Sequence, residues 1–271
     1  MWGGGYDARC SNVHGYVLFG FWERQEMVKK TGVGVLLSLV FVLFTYSSAV
    51  AEWYVGGAVG VAMPHDVDDL SASSGGYTLG ISEFSPDTSF TGGVKVGYFF
   101  EKIPYLGVEI NWSISEPDVD KETVTATITG TPTGVYAGQT SGEFLGSVDV
   151  DSLSSFAFLA MLRATDEDAK AKYNGIQPYL GLGFTVSTLD VNSVTAYSTA
   201  GALIGTGTGD STTDVGFALT GGLNYLINNN IKTYIEYQFG SVDYEFGSID
   251  GLKTELTGQN SSLMFGASYS F

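Results

Sequence analysis

From residue 53 to the C-terminus, large apolar side chains return at every second position in eight separate stretches of about ten residues each. In the first, Trp53, Val55, Val59, Val61 and Met63 share one face with Gly57, while Tyr54, Gly56, Ala58, Gly60 and Ala62 share the other. Pro64 then ends the strand, because proline has no N–H to give to a ladder. The third stretch alternates most cleanly: Leu106, Val108, Ile110, Trp112 and Ile114 against Gly107, Glu109, Asn111 and Ser113. The last sets Leu263, Phe265, Ala267, Tyr269 and Phe271 against Ser262, Met264, Gly266, Ser268 and Ser270. Residues 90–100, 154–164, 176–187, 214–226 and 231–240 supply the other five. Taken alone, the final stretch would also suit the edge of a soluble β-sandwich.

The connections alternate in length. Segments 64–88, 115–153, 188–213 and 241–260 are long and polar, and the second is expected to be partly hairpin-like because residues 123–129 favour strand. Segment 165–175 reads as a charged turn, and residues 101–104 and 228–230 as tight ones. An up-and-down meander places all long loops at one end and all short turns at the other. The two chain ends then fall on the short-turn side, where the first and last strands can pair and close the sheet. Closure removes the open edge that lipid does not tolerate. An eight-stranded barrel has an interior only wide enough for side chains. The Gly-rich, small and polar face is therefore expected inside, and the bulky face against hydrocarbon. The fold class expected is all-β, an eight-stranded antiparallel up-and-down transmembrane β-barrel. Trp53, Tyr98, Phe100, Tyr105, Tyr225 and Phe271 at one end, with Phe90, Trp112 and Phe239 at the other, make two aromatic girdles.

Composition sharpens this picture. The chain has 37 Gly, 17 Phe and 16 Tyr but only 15% charged residues, which suits short strands better than helices. The front end differs. Lys29 and Lys30 precede an apolar run over residues 33–44, too short to cross a membrane as a helix, and Ala49 and Ala51 supply small residues where a signal peptidase reads. Residues 27–51 are expected to be a secretory signal peptide, with residues 1–26 a mis-called upstream extension and 52–271 the barrel domain. Cys10 lies in that front end, so no disulfide is expected in the exported part. A net charge of -17 makes nucleic acid a poor partner.

The stretches WYVGGAVGVA (residues 53–62), PYLGVEINWS (104–113), QPYLGLGF (177–184), TYIEYQFG (233–240) and FGASYSF (265–271) resemble the small outer-membrane β-barrel proteins of the outer membrane protein A-like, opacity-porin type. The resemblance spans residues 52–271. It implies a bacterial outer-membrane location with extracellular long loops, and contact with outer-membrane lipids and lipopolysaccharide. It also implies handling by the barrel-assembly machinery through a C-terminal signature of Phe265, Tyr269 and Phe271. The barrel is expected to be monomeric and to use no cofactor. Family members range over surface antigens, adhesins and membrane anchors, so the implied role is structural or cell-surface interaction, with the loop partner open.

Candidate chemistry is sparse. Lys95 and Glu109 flank the turn at residues 101–104 at nearly equal distance and both point inward, which predicts a lumenal ion pair, with Arg163 and Glu236 as further members. No catalytic or metal-ligating set is expected. His65, beside Asp66, reads as a solvated loop residue, and no His–Ser pair of the kind lipid A deacylases carry on their outer face is evident. The acidic segments 66–69 and 118–122 lack EF-hand spacing. A small diffusion pore and a lipid-modifying enzyme are the alternative functions.

Overall fold

The computed structural model describes residues 52–67, 70–74, 76–81, 84–131, 141–249 and 252–271. The expected signal peptide, its cleavage site at Ala49 and Ala51, and residues 1–26 lie outside the described residues. Among the described residues, twelve strands and one helix follow in order: β1 (Glu52–Pro64), β2 (Leu70–Ser74), β3 (Tyr77–Ile81), β4 (Ser89–Phe100), β5 (Ile103–Ser115), β6 (Val119–Gly130), β7 (Gly142–Arg163), α1 (Asp166–Lys172), β8 (Ile176–Tyr197), β9 (Leu203–Thr208), β10 (Ser211–Leu226), β11 (Ile231–Ile249) and β12 (Leu252–Ser270).

Eight of these close a ring. β1, β4, β5, β7, β8, β10, β11 and β12 pair antiparallel in that order, and β12 returns to β1 through eleven residue pairs from Tyr54↔Ser270 to Pro64↔Asn260. Phe271 N–H donates to Trp53 C=O, so the closing seam is bonded to the last residue. The alternation of the sequence sets the orientation. Val59 is 55% exposed, Val94 55% and Phe265 57%, all on the outward face. Their neighbours Tyr54, Thr91, Lys95 and Met264 are buried inside.

Two expectations are corrected. The ring has the expected eight strands, and the first correction is their reach and what fills the long connections. A transmembrane strand needs ~9–11 residues, yet β7 and β8 have 22 residues each and β11 and β12 have 19. Segments expected to be polar loops continue the ladder instead, because they are rich in Val, Thr and Ser and keep the two-residue alternation. Four further strands form in the long connections. The β2–β3 hairpin bridges β12 to β6, and β6 pairs back onto β7. On the side where β1, β4 and β5 stop early, these three strands carry the wall upward; β9 pairs with β8. The charged segment 165–175 is also more than a turn. Thr165 caps α1 by accepting from Asp168 N–H, and acidic residues fill its first turn.

The second correction concerns what fills the lumen. It is not packed by small side chains alone. Tyr54 lies directly across from Gly97, Tyr179 from Gly222, Tyr234 from Gly266, Phe99 from Gly107 and Met161 from Gly181. In each pair the large side chain occupies the space a Cβ on the facing glycine would need. The inward glycines are therefore platforms for rings on the neighbouring strand. Tyr54, Phe99, Leu159, Met161, Tyr179 and Ala218 form the lower apolar cluster. A second cluster of Val191, Val242, Tyr244 and Phe246 sits nearer the long loops.

Candidate functional site

The charged side chains of the lumen gather in two layers. In the upper one, Lys95 on β4 lies 2.6 Å from Glu236 Oε2 on β11 and 3.6 Å from Glu109 Oε2 on β5. All three are buried, at 7%, 1% and 2% exposure. Tyr54 donates to Glu109 Oε2 at 2.5 Å, Tyr179 donates to Glu236 Oε2 at 2.6 Å, and Gln238 Nε2 donates to Glu236 Oε1 at 2.8 Å. The Lys95 ammonium also stands 3.9 Å over the Tyr234 ring. Register explains the longer Lys95–Glu109 distance. Lys95 pairs with Asn111 and Glu109 with Gly97, so the two charges are diagonal neighbours. Glu236 faces Lys95 from across the lumen.

Arg163 belongs to the second layer, at the short-turn end. Its guanidinium pairs with both carboxylate oxygens of Glu52, lies 3.6 Å over the Phe99 ring, and donates from Nε to Pro104 C=O. Lys232 completes this layer at 3.0 Å from Glu52 Oε1 and 3.1 Å from Asp166 Oδ1. Gln177, fully buried, bonds Asp166 and Ala164 C=O. Glu52, Asp166 and Lys232 were not anticipated from the sequence. A signal for Lys232 was present, since it shares the inward parity of Tyr234 and Glu236; Glu52 likewise shares the parity of Tyr54. Asp166 lies in the connecting helix, where strand parity says nothing.

Between the layers little space remains. A cavity of about 20 Å³, bounded by Tyr54, Lys95, Glu109, Arg163 and Lys232, is room for roughly one water. Above the upper layer the interior reopens into a chamber of about 280 Å³.

On the outward face, His65 Nε2 lies 2.8 Å from Ser261 Oγ, which lies 2.6 Å from the Tyr237 hydroxyl. Sequence spacing alone shows no outer-face His–Ser pair. The strand pairing produces one, because Ser261 sits beside Met63, two residues from His65, across the closing seam. Ser261 is only 3% exposed. The signature residues Phe265, Tyr269 and Phe271 are all on the outward face, at 57%, 45% and 70% exposure. Of the acidic segment 118–122, Asp118 accepts from Val150 N–H and Glu122 from Ser85 N–H, so both carboxylates tie long-loop segments together. Among the described residues no group of three or more His, Cys, Asp or Glu side chains is placed to hold a metal ion.

The family model described as outer membrane protein beta-barrel domain matches residues 34–271. The chain belongs to this family. It is a protein of the bacterial outer membrane, and its closed eight-strand ring is the family's membrane-spanning part. The outer-membrane barrel is similar to three solved structures at low identity. Neisserial surface protein A matches at 14% identity and TM-score 0.42, covering 82% of this chain and all of that one. The outer membrane protein OprG from Pseudomonas aeruginosa matches at 14% and 0.44, covering 82% and 96%. Ail, the attachment invasion locus protein of Yersinia pestis, matches at 13% and 0.35, covering 81% and 99%. No curated protein sequence matches the chain.

Proposed function

We propose that this protein is a closed, non-conducting and non-catalytic outer-membrane barrel that acts at its long-loop end, in a structural or cell-surface interaction role. The observation that carries this reading is the double charge layer. Seven buried or half-buried charged groups, braced by three tyrosines and Gln177, leave about 20 Å³ between them. A hydrated ion needs a continuous wet path, and moving Lys95 aside would strand two carboxylates in a low-dielectric interior. The tall β7, β8, β11 and β12 walls raise the loop hairpins beyond the bilayer, where a partner can reach them. The decisive experiment is purified barrel in planar bilayers: no unitary conductance is expected, and steady channel steps would overturn the reading. Intact cells should be cut by added protease at the exposed long-loop segment 199–206; full protection would place the loops elsewhere.

The His65–Ser261 hydrogen bond favours a second reading, hydrolysis of a lipid acyl ester, since a histidine beside a serine hydroxyl is the minimum for nucleophilic attack. Against it, Ser261 is buried and its oxygen is shared with Tyr237. Release of fatty acid from phospholipid or lipid A by the wild type, abolished in Ser261→Ala, would establish this reading and displace the first.

A further inference from the structure

The chamber above the charge layers has a composition unlike the rest of the lumen. Its upper wall is apolar: Val150 and Leu153 of β7, Val191 of β8, and Val242 and Phe246 of β11 line it. Its floor is polar, and Thr185 Oγ1 there is buried without a hydrogen-bond partner. Thr185 is only 4% exposed. A buried polar atom left unpaired costs free energy, so Thr185 Oγ1 is a ready partner for a ligand group. At about 280 Å³ the chamber lies close to the lower end of small-molecule sites, ~300–1,000 Å³. An apolar cavity about half this size can stay dry and take up a small hydrocarbon.

Charge narrows the class. Directly beneath the floor, one ammonium (Lys95) faces two carboxylates (Glu109 and Glu236), and Gln238, which lines the chamber, is hydrogen-bonded to Glu236. An anionic head group would be desolvated next to an excess of negative charge. A neutral hydroxyl would instead bond Thr185 Oγ1 while its hydrocarbon lies along the valine and leucine wall.

We propose that this chamber is a binding site for a small neutral amphiphile, a hydrocarbon body with an uncharged hydroxyl head, held head-down on Thr185. The site ends at the charge layers, so it retains its ligand on the outer side.

The test is a titration of the folded barrel in lipid nanodiscs with decanol, decanoate and decane, read by methyl NMR. Decanol should shift the methyls of Val150, Val191 and Val242 saturably, while the lipid-facing Val55 and Val59 drift linearly with alcohol dissolved in the bilayer. Decanoate should bind at least about tenfold more weakly, by the cost of burying its charge. Val242→Trp, filling the chamber, should abolish the saturable shifts with heat-modifiable gel migration retained; if that variant does not fold, Leu153→Trp on the opposite wall serves. Thr185→Val should remove the preference for decanol over decane. Linear drift of the chamber methyls, equal binding of decanoate, or saturable shifts surviving in a folded chamber-filling variant would each overturn the proposal. Channel conductance would defeat the surface-role reading and leave this site standing; absent decanol binding does the reverse.

Discussion

Lys95 reaches across the lumen to Glu236, at 2.6 Å, rather than to Glu109 on the adjacent strand at 3.6 Å. β4 and β11 are separated in the ring by β1 and β12, so this ion pair spans the barrel like a strut. Replacing one partner leaves the other as an uncompensated buried charge. Lys95→Met should therefore cost about 3–5 kcal/mol, read as a lower urea midpoint of the heat-modifiable gel shift. In double-mutant cycles Lys95 should couple more strongly to Glu236 than to Glu109. Equal coupling would contradict the geometry.

The tyrosines over glycines make a second, independent prediction. A Cβ at Gly97 would enter the Tyr54 ring, whose hydroxyl holds Glu109. Gly97→Ala should destabilise by about 1–3 kcal/mol, the ordinary cost of overpacking. Pairing it with Tyr54→Ala should recover part of that loss. An unaltered urea midpoint in Gly97→Ala would show that the ring does not rest there.

Arg163 uses both guanidinium arms on Glu52 and stacks on Phe99. Lysine carries the charge but not the fork or the flat face. Arg163→Lys should lose about 1–3 kcal/mol, the worth of charge-assisted hydrogen bonds. Full stability in Arg163→Lys would mean that charge alone suffices.

At the short-turn end, Lys172 lies 2.6 Å from Asp168 Oδ1, and its hydrogen bond, with that of Thr165, holds the Asp168 carboxyl below the usual carboxylate range. Because the folded value is depressed, the benefit to α1 is present above the ordinary aspartate pKa of about 3.9 and fades as pH falls through the folded value. Side-chain NMR should find Asp168 titrating low, and Lys172→Ala should move it back up. A titration unchanged by that substitution would remove Lys172 as the cause.

Much of this was legible along the chain. The alternation through Val55–Val59–Val61 and Leu263–Phe265–Tyr269 identified the lipid-facing side, and the parity of Lys95, Glu109, Arg163 and Glu236 put those charges inside. Helix α1 was less visible, because the charges of segment 165–175 suit a turn as well as a short helix until Thr165 caps it. The strand character of residues 123–129 was visible, but the continuation of the ladder through segment 188–208 was not, because Gly, Thr and Ser make up about half of it and only pairing partners distinguish strand from loop there.

The sequence by itself determined the strand periodicity, the face each residue presents, and the antiparallel meander, since these depend on backbone pleat and on neighbours a few residues away. Only the tertiary structure decided which carboxylate Lys95 meets, that Arg163 sits apart with Glu52 and Lys232, that His65 touches Ser261, and that a chamber opens above a sealed floor. Those are contacts between strands far apart in the chain, and their heights relative to one another are fixed only when the ring closes with a particular stagger.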